Sequence, residues 1–146
     1  EKYKKITCSE KGKKYELNNV KKGKKYIIAR YHVDGGIIKN DSPKCDYLFL
    51  CHGDNDKVIF VELKGKNVNH ACDQLYESID TLNKLLPQLS DLNLYARIIN
   101  SKTPPRDVAN AHYKRLVELL QTLNDDKEIR IKIKERFLSE TIDSLK

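Results

Sequence analysis

Glu62 and Lys64 close a run of β-branched and aromatic residues, VIFVELK, that starts at Val58 and breaks at Gly65. In an extended strand, residues i and i+2 point to one face. The pattern therefore predicts a carboxylate and an ammonium side by side at the strand's end, with Leu63 turned the other way. A second acid, Asp46, heads the preceding apolar run CDYLFLC, and a meander of the two strands would bring its carboxylate to Glu62. Two carboxylates so placed repel unless a hard cation lies between them, and oxygen donors with retained waters suit Mg2+ (or Mn2+). Such a cation polarises a phosphodiester oxygen and lowers the pKa of a bound water, while Lys64 orients that water or neutralises developing charge. The constellation predicts a phosphodiester hydrolysis site. In a chain that is 34% charged, an exposed pair at a strand end accounts for the same triplet. Against that reading, E-x-K occurs once in this sequence and ends a strong hydrophobic run.

The elements expected to hold these residues follow from periodicity. KYIIARYHV reads as a strand, DGG as a tight turn returning the chain through Ile37 and Ile38, and CDYLFLC as a second, buried strand. HGDNDK is a polar turn and VIFVELK a third strand, which completes a three-stranded meander. From Val68 to Leu86 the apolar positions Val68, Cys72, Leu75, Ile79, Leu82 and Leu86 lie on one face of an amphipathic helix that packs on the sheet. LNLYARIIN predicts a fourth strand, TPP a loop, the stretch from Val108 to Leu123 a second helix, and IRIKIK a late strand. The order βββ-α-β-α-β is an α/β sandwich around a mixed β-sheet flanked by helices. With 146 residues, 39% of them hydrophobic, the chain is expected to form a single domain over 1–146.

Charge is concentrated at one end. Residues 1–25 hold ten lysines against three glutamates, which is the whole of the net charge of +7. Such an arm attracts phosphates through counterion release, with Tyr3, Tyr15 and Tyr26 interleaved as stacking faces; a merely solvated segment explains it equally well. The four cysteines, Cys8, Cys45, Cys51 and Cys72, form no C-x-x-C pair and are expected to be thiols of a reducing compartment. No run approaches the roughly 18 apolar residues of a membrane helix and no leader pattern is present, so the expectation is a soluble, cytoplasmic protein. Beginning at Glu1 and containing no methionine, the chain reads as lacking its natural first residue.

PKCDYLFL followed by VIFVELKG resembles the metal-dependent nucleases of the PD-(D/E)XK superfamily, over the meander and the following helix, roughly half the chain. The resemblance implies a restriction-endonuclease-like fold, with Asp46 the first metal ligand, Glu62 the second and Lys64 the catalytic lysine. It also implies the backbone carbonyl of Leu63 as a further ligand, and Gln74 in HACDQLYES as the glutamine that the helix after E-x-K supplies to the active site. His70 and Gln74, four apart, share a helical face. Ser78 stands where some exonuclease-like members carry an aromatic, four residues after the glutamine. Many members carry another acid before the first strand, for which Glu10 and Glu16 are the candidates.

Other features have plainer explanations. DND at Asp54 lacks the glycine and glutamate of a calcium loop and is read as a hairpin turn. Cys45, Cys51, His52, His70 and Cys72 fit no zinc spacing and are read as buried thiols and a turn histidine. Asp34 is a turn former in DGG. Ile129, Ile131 and Ile133 are expected to face the core, with Arg130, Lys132 and Lys134 guarding an edge strand or facing phosphates. Arg97, Lys102 and Arg106 are candidate DNA clamps. The expected function is a Mg2+-dependent endonuclease acting on DNA, contacted by Lys21, Lys22, Lys24, Lys25, Lys66 and Arg106, and working as a homodimer or as a subunit of a larger assembly. The alternatives are a non-catalytic nucleic-acid-binding module that keeps the fold, and an RNA-directed nuclease of the same chemistry.

Overall fold

The computed structural model describes residues 5–19, 26–34, 36, 44–65, 67–102 and 110–146, with Lys64 and Gly65 described by their backbone alone. Eight strands and two helices follow one another as β1 (Lys5–Glu10), β2 (Lys13–Asn18), β3 (Ile27–His32), β4 (Tyr47–His52), β5 (Lys57–Gly65), α1 (Val68–Leu85), β6 (Asn93–Asn100), α2 (Ala111–Asn124), β7 (Ile131–Glu135) and β8 (Phe137–Thr141). The protein is mixed α/β, with a five-stranded sheet ordered β3-β4-β5-β6-β7 and a three-stranded sheet ordered β1-β2-β8.

The predicted meander is β3-β4-β5, antiparallel throughout, and β6 and β7 then add in parallel. The connection from β5 to β6 runs through α1, as a parallel crossover requires. Continuous apolar runs such as Val58–Val61 and Leu94–Ile99 arise because the large sheet is covered on both faces. On one face Val58, Phe60, Leu94, Ala96 and Ile98 pack under Cys72, Leu75, Ile79 and Leu82 of α1 and Leu116 and Leu120 of α2. On the other, Phe49, Ile59, Val61, Leu63 and Ile99 pack against Cys8, Tyr15, Leu17 and Leu138 of the small sheet. Among the described residues no helix is long and apolar enough to cross a membrane.

The small sheet corrects the expected βββ-α-β-α-β order, which lacks β1, β2 and β8. Within the lysine-rich segment, Lys11 and Gly12 both take positive φ, 47° and 80°, the conformation of a two-residue primed hairpin turn. The turn sets Glu10 opposite Lys13. Tyr15 and Leu17 are fully buried and Lys13, on the same face of β2, is 5% exposed, so residues 5–18 are a packed hairpin and not a solvated arm. After β7 the chain turns a left-handed corner at Arg136, φ 63°, and β8 pairs in parallel with β2. Ile131 and Ile133 pack on the core as expected, whereas Ile129 precedes β7 and is exposed. The turn expected at DGG, Ile37 and Ile38 falls mainly outside the described residues.

Candidate active site

Strands β4 and β5 run antiparallel, and their ladder ends with Tyr47 opposite Val61, one residue short of Asp46 and Glu62. The pairing ends here in a specific way. The Asp46 amide donates to the Val61 carbonyl at 3.1 Å, and Asp46 Oδ2 accepts from the Leu63 amide at 2.8 Å. A side chain thus replaces the next rung of the ladder and fixes the carboxylate against β5. Glu62 is 0% exposed and Asp46 6%. Leu63 packs on the small-sheet side while Glu62 alternates with it toward α1. Both carboxylates reach the Cys45 thiol, whose pKa is raised by burial first and then by the charges of Glu62 and Asp46.

Just beyond Glu62 the parallel ladder with β6 slips. Glu62 faces Ile98 but Gly65 faces Asn100, so three steps on β5 match two on β6. Leu63 and Lys64 lie inside this irregularity, a feature that commonly re-aims the chain beside functional sites. The simple alternation expected to set Lys64 beside Glu62 therefore runs through a bulge, and the Lys64 side chain lies outside the described residues.

Helix α1 clamps the segment that leads into Asp46. Gln74 Nε2 donates to the Lys44 carbonyl at 3.1 Å, and the Cys45 amide donates to Ser78 Oγ at 2.8 Å, while Ser78 itself donates to the Gln74 carbonyl. Gln74 Oε1 is buried and accepts no hydrogen bond from the described residues. Lys44 is 8% exposed, with Nζ 3.9 Å from Asp34 Oδ1. The positions of Ser78, Cys45 and Lys44 were not marked as important in sequence. The signal for Ser78 was a serine on the apolar face of an amphipathic helix, where a polar atom must find a partner.

Set against family models, curated proteins and solved structures, the chain matches none.

Several other expected contacts are placed differently. Arg97 is no DNA clamp: it is fully buried, its Nε donating to Glu140 Oε2 at 2.8 Å and its Nη2 to the Lys146 carbonyl at 2.7 Å. Tyr15 and Tyr26 are not stacking faces either. Tyr15 is buried and donates to Glu140, and Tyr26 is buried and accepts from Lys57 Nζ at 2.9 Å. Lys132 pairs with Glu140 at 3.0 Å rather than facing phosphates. Of the two candidate acids, Glu16 is engaged by Lys5, Lys14 and Ser139, whereas the charge of Glu10 reaches Tyr47 together with that of Asp46. Lys21, Lys22, Lys24, Lys25, Lys66, Arg106 and Tyr3 lie outside the described residues. Asn19 and Tyr26 exchange two hydrogen bonds of 2.7 and 3.0 Å. All four cysteines are buried thiols, with Cys45 and Cys72 in the helix-side core and Cys8 and Cys51 in the other. The DND stretch is a turn held by Asp56, which accepts from the Gly53 amide at 3.2 Å.

Proposed function

We propose that this chain is a Mg2+-dependent endonuclease of the PD-(D/E)XK kind, on a restriction-endonuclease-like fold, hydrolysing phosphodiester bonds of DNA. The observation that supports this best is the burial of two carboxylates, Asp46 and Glu62, across one strand pair at its very end. Two carboxylates close together disfavour each other's charge, a cost that a divalent cation between them reverses.

The donor set suits that ion. Asp46, Glu62 and the Leu63 carbonyl, at the point where the ladder with β6 slips, offer oxygen alone, which is the Mg2+ (or Mn2+) preference. When bound, the cation supplies a Lewis acid that polarises the phosphodiester and acidifies the attacking water.

The remaining chemistry belongs to side chains. Lys64 supplies the ammonium that orients the water or neutralises charge developing on the phosphate. Asp46 is kept in place by the Leu63 amide, and the backbone before it by Ser78 and Gln74. Gln74 acts through that clamp, since its amide nitrogen is committed to Lys44. Lys21, Lys22, Lys24, Lys25, Lys66 and Arg106 are proposed to hold the DNA backbone. Cutting both strands of a duplex calls for a homodimer, a larger assembly or two successive nicks.

Nicking and linearisation of supercoiled plasmid with Mg2+ or Mn2+ test the reading. The wild type should cut, EDTA should stop it, and Glu62→Ala and Lys64→Ala should each lose roughly a hundredfold or more. A folded wild type that binds but cuts neither plasmid, single-stranded DNA nor RNA would instead establish a non-catalytic binding module.

A further inference from the structure

Tyr47 directly follows Asp46 and points to the opposite face of the sheet, where it meets a cluster that the hydrolytic site does not use. Its cross-strand partner is His32, and the two rings lie 4.5 Å apart at 49°. Arg30, two residues before His32 on the same face of β3, sits with its guanidinium 5.8 Å from the Tyr47 ring centre. Arg30 and His32 are exposed, while Tyr47 is half-buried. The Arg30 Nη1 donates to the Thr7 carbonyl on β1 at 2.5 Å, so the group spans the edges of both sheets and the guanidinium is held in place.

The other arginines show what is unusual here. Arg97, Arg115, Arg130 and Arg136 each lie within 4.0 Å of a carboxylate. Among the described residues Arg30 is the one arginine with no such partner. An exposed cation with no carboxylate within 4.0 Å among the described residues, beside an exposed ring propped on a half-buried one, matches a phosphate and the base attached to it.

We propose that Arg30, His32 and Tyr47 form a nucleotide subsite beside the Asp46–Glu62 pair, with a base stacking on His32 and its phosphate on Arg30. The proposal rests on the nuclease reading and narrows its substrate. A base paired within a duplex has both faces covered by its neighbours, so the subsite takes an unpaired nucleotide: a single strand, a frayed end or a flap next to the bond to be cut. His32 and Arg30 are positioning residues in this scheme. They hold the strand on the side of Asp46 facing away from α1, and neither touches the reacting phosphate.

The test is fluorescence-anisotropy binding of the full chain in EDTA, where no cutting occurs, to three labelled probes of equal length: oligothymidylate, the same backbone made of abasic units, and a blunt duplex. Oligothymidylate should bind most tightly. His32→Ala should weaken it about tenfold, the size of one lost base stack, while leaving the abasic probe unchanged. His32→Phe should restore binding, and Arg30→Ala should weaken both single-stranded probes while Arg30→Lys keeps most of the affinity. Unchanged melting temperatures for these surface variants would exclude a folding defect. Equal affinity for the abasic or duplex probe, or a His32→Ala protein that binds oligothymidylate like wild type, would overturn the subsite. Failure of the hydrolytic reading shows up separately, as base-dependent binding by a protein that cuts nothing with Mg2+.

Discussion

Asp46 shows how one side chain is given a fixed position by rules that operate at the scale of single hydrogen bonds. A strand end leaves the Leu63 amide without a backbone acceptor, and a buried amide without one costs about 1–3 kcal/mol. Asp46 Oδ2 fills that place at 2.8 Å, so the carboxylate is held by the backbone it follows. Ser78 performs the same service for the Cys45 amide from the helix side. Ser78→Ala removes that acceptor and should lower stability by about 1–3 kcal/mol in urea unfolding. Because Asp46 is the next residue, the variant should also lose plasmid cutting beyond what its stability explains, whereas Ser78→Thr, which keeps the oxygen, should retain most of it. Asp46 and Glu62 stood out in sequence as acids at the ends of apolar runs, whereas the face taken by Lys64 lies beyond a slip in the ladder and outside the described side chains. Ser78 did not stand out, since its partner is 33 residues away and no local pattern predicts it.

At the scale of elements, strong periodicity was read almost to the residue. The apolar stripe of α1 is buried at Val68, Cys72, Leu75, Ile79 and Leu82, and only Leu86, beyond the helix end, is exposed. Its start is set by Asn67, whose side chain accepts from the amides of Asn69 and His70. The hairpin β1–β2 escaped notice because its lysines conceal a period of two that shows only at Ile6, Cys8, Tyr15 and Leu17. The β4–β5 hairpin depends on a close approach at Gly53. A Cβ there would lie 2.5 Å from the Tyr26 ring. Gly53→Ala must displace Tyr26 and its hydrogen bond from Lys57, and should destabilise by about 1–3 kcal/mol in thermal melts. A variant that melts like wild type would show that this approach places no constraint on the turn.

Over the whole molecule, the two sheets are joined by an ionic node at Glu140. Its carboxylate accepts from Arg97, Tyr15 and Lys132, which come from β6, β2 and β7. Burial alone would raise the Glu140 pKa, but the hydrogen bond and charge of Arg97, with Lys132 and Tyr15, outweigh it and hold the group below the usual carboxylate range. A depressed native pKa stabilises the fold above the unfolded value, and the contribution is lost as pH falls through the native one. Glu140→Gln strands the buried Arg97 charge and should cost about 3–5 kcal/mol near neutrality. The gap between variant and wild type should narrow as pH falls below the ordinary glutamate range and through the depressed native value, since protonated Glu140 resembles glutamine. Unfolding curves over that range check it, and a gap that stayed constant with pH would refute the node.

Sequence alone determined the meander, both helices and the late strand, because periodicity and turn chemistry act over a few residues. It also determined that no C-x-x-C pair is present, and the four thiols are buried. Only the tertiary structure decided what depends on residues far apart. Strand β8 carries Glu140 inward, which no local rule favours, and it is stable there because Arg97, 43 residues earlier, supplies the opposite charge. The same separation turned a candidate DNA clamp into a buried tie between sheets, and it joined Arg30 of β3 to Thr7 of β1 beside Tyr47. Burial can be shared across the fold in this way because the cost of an inward charge falls once its partner is also inward, and which partner is inward is fixed by packing.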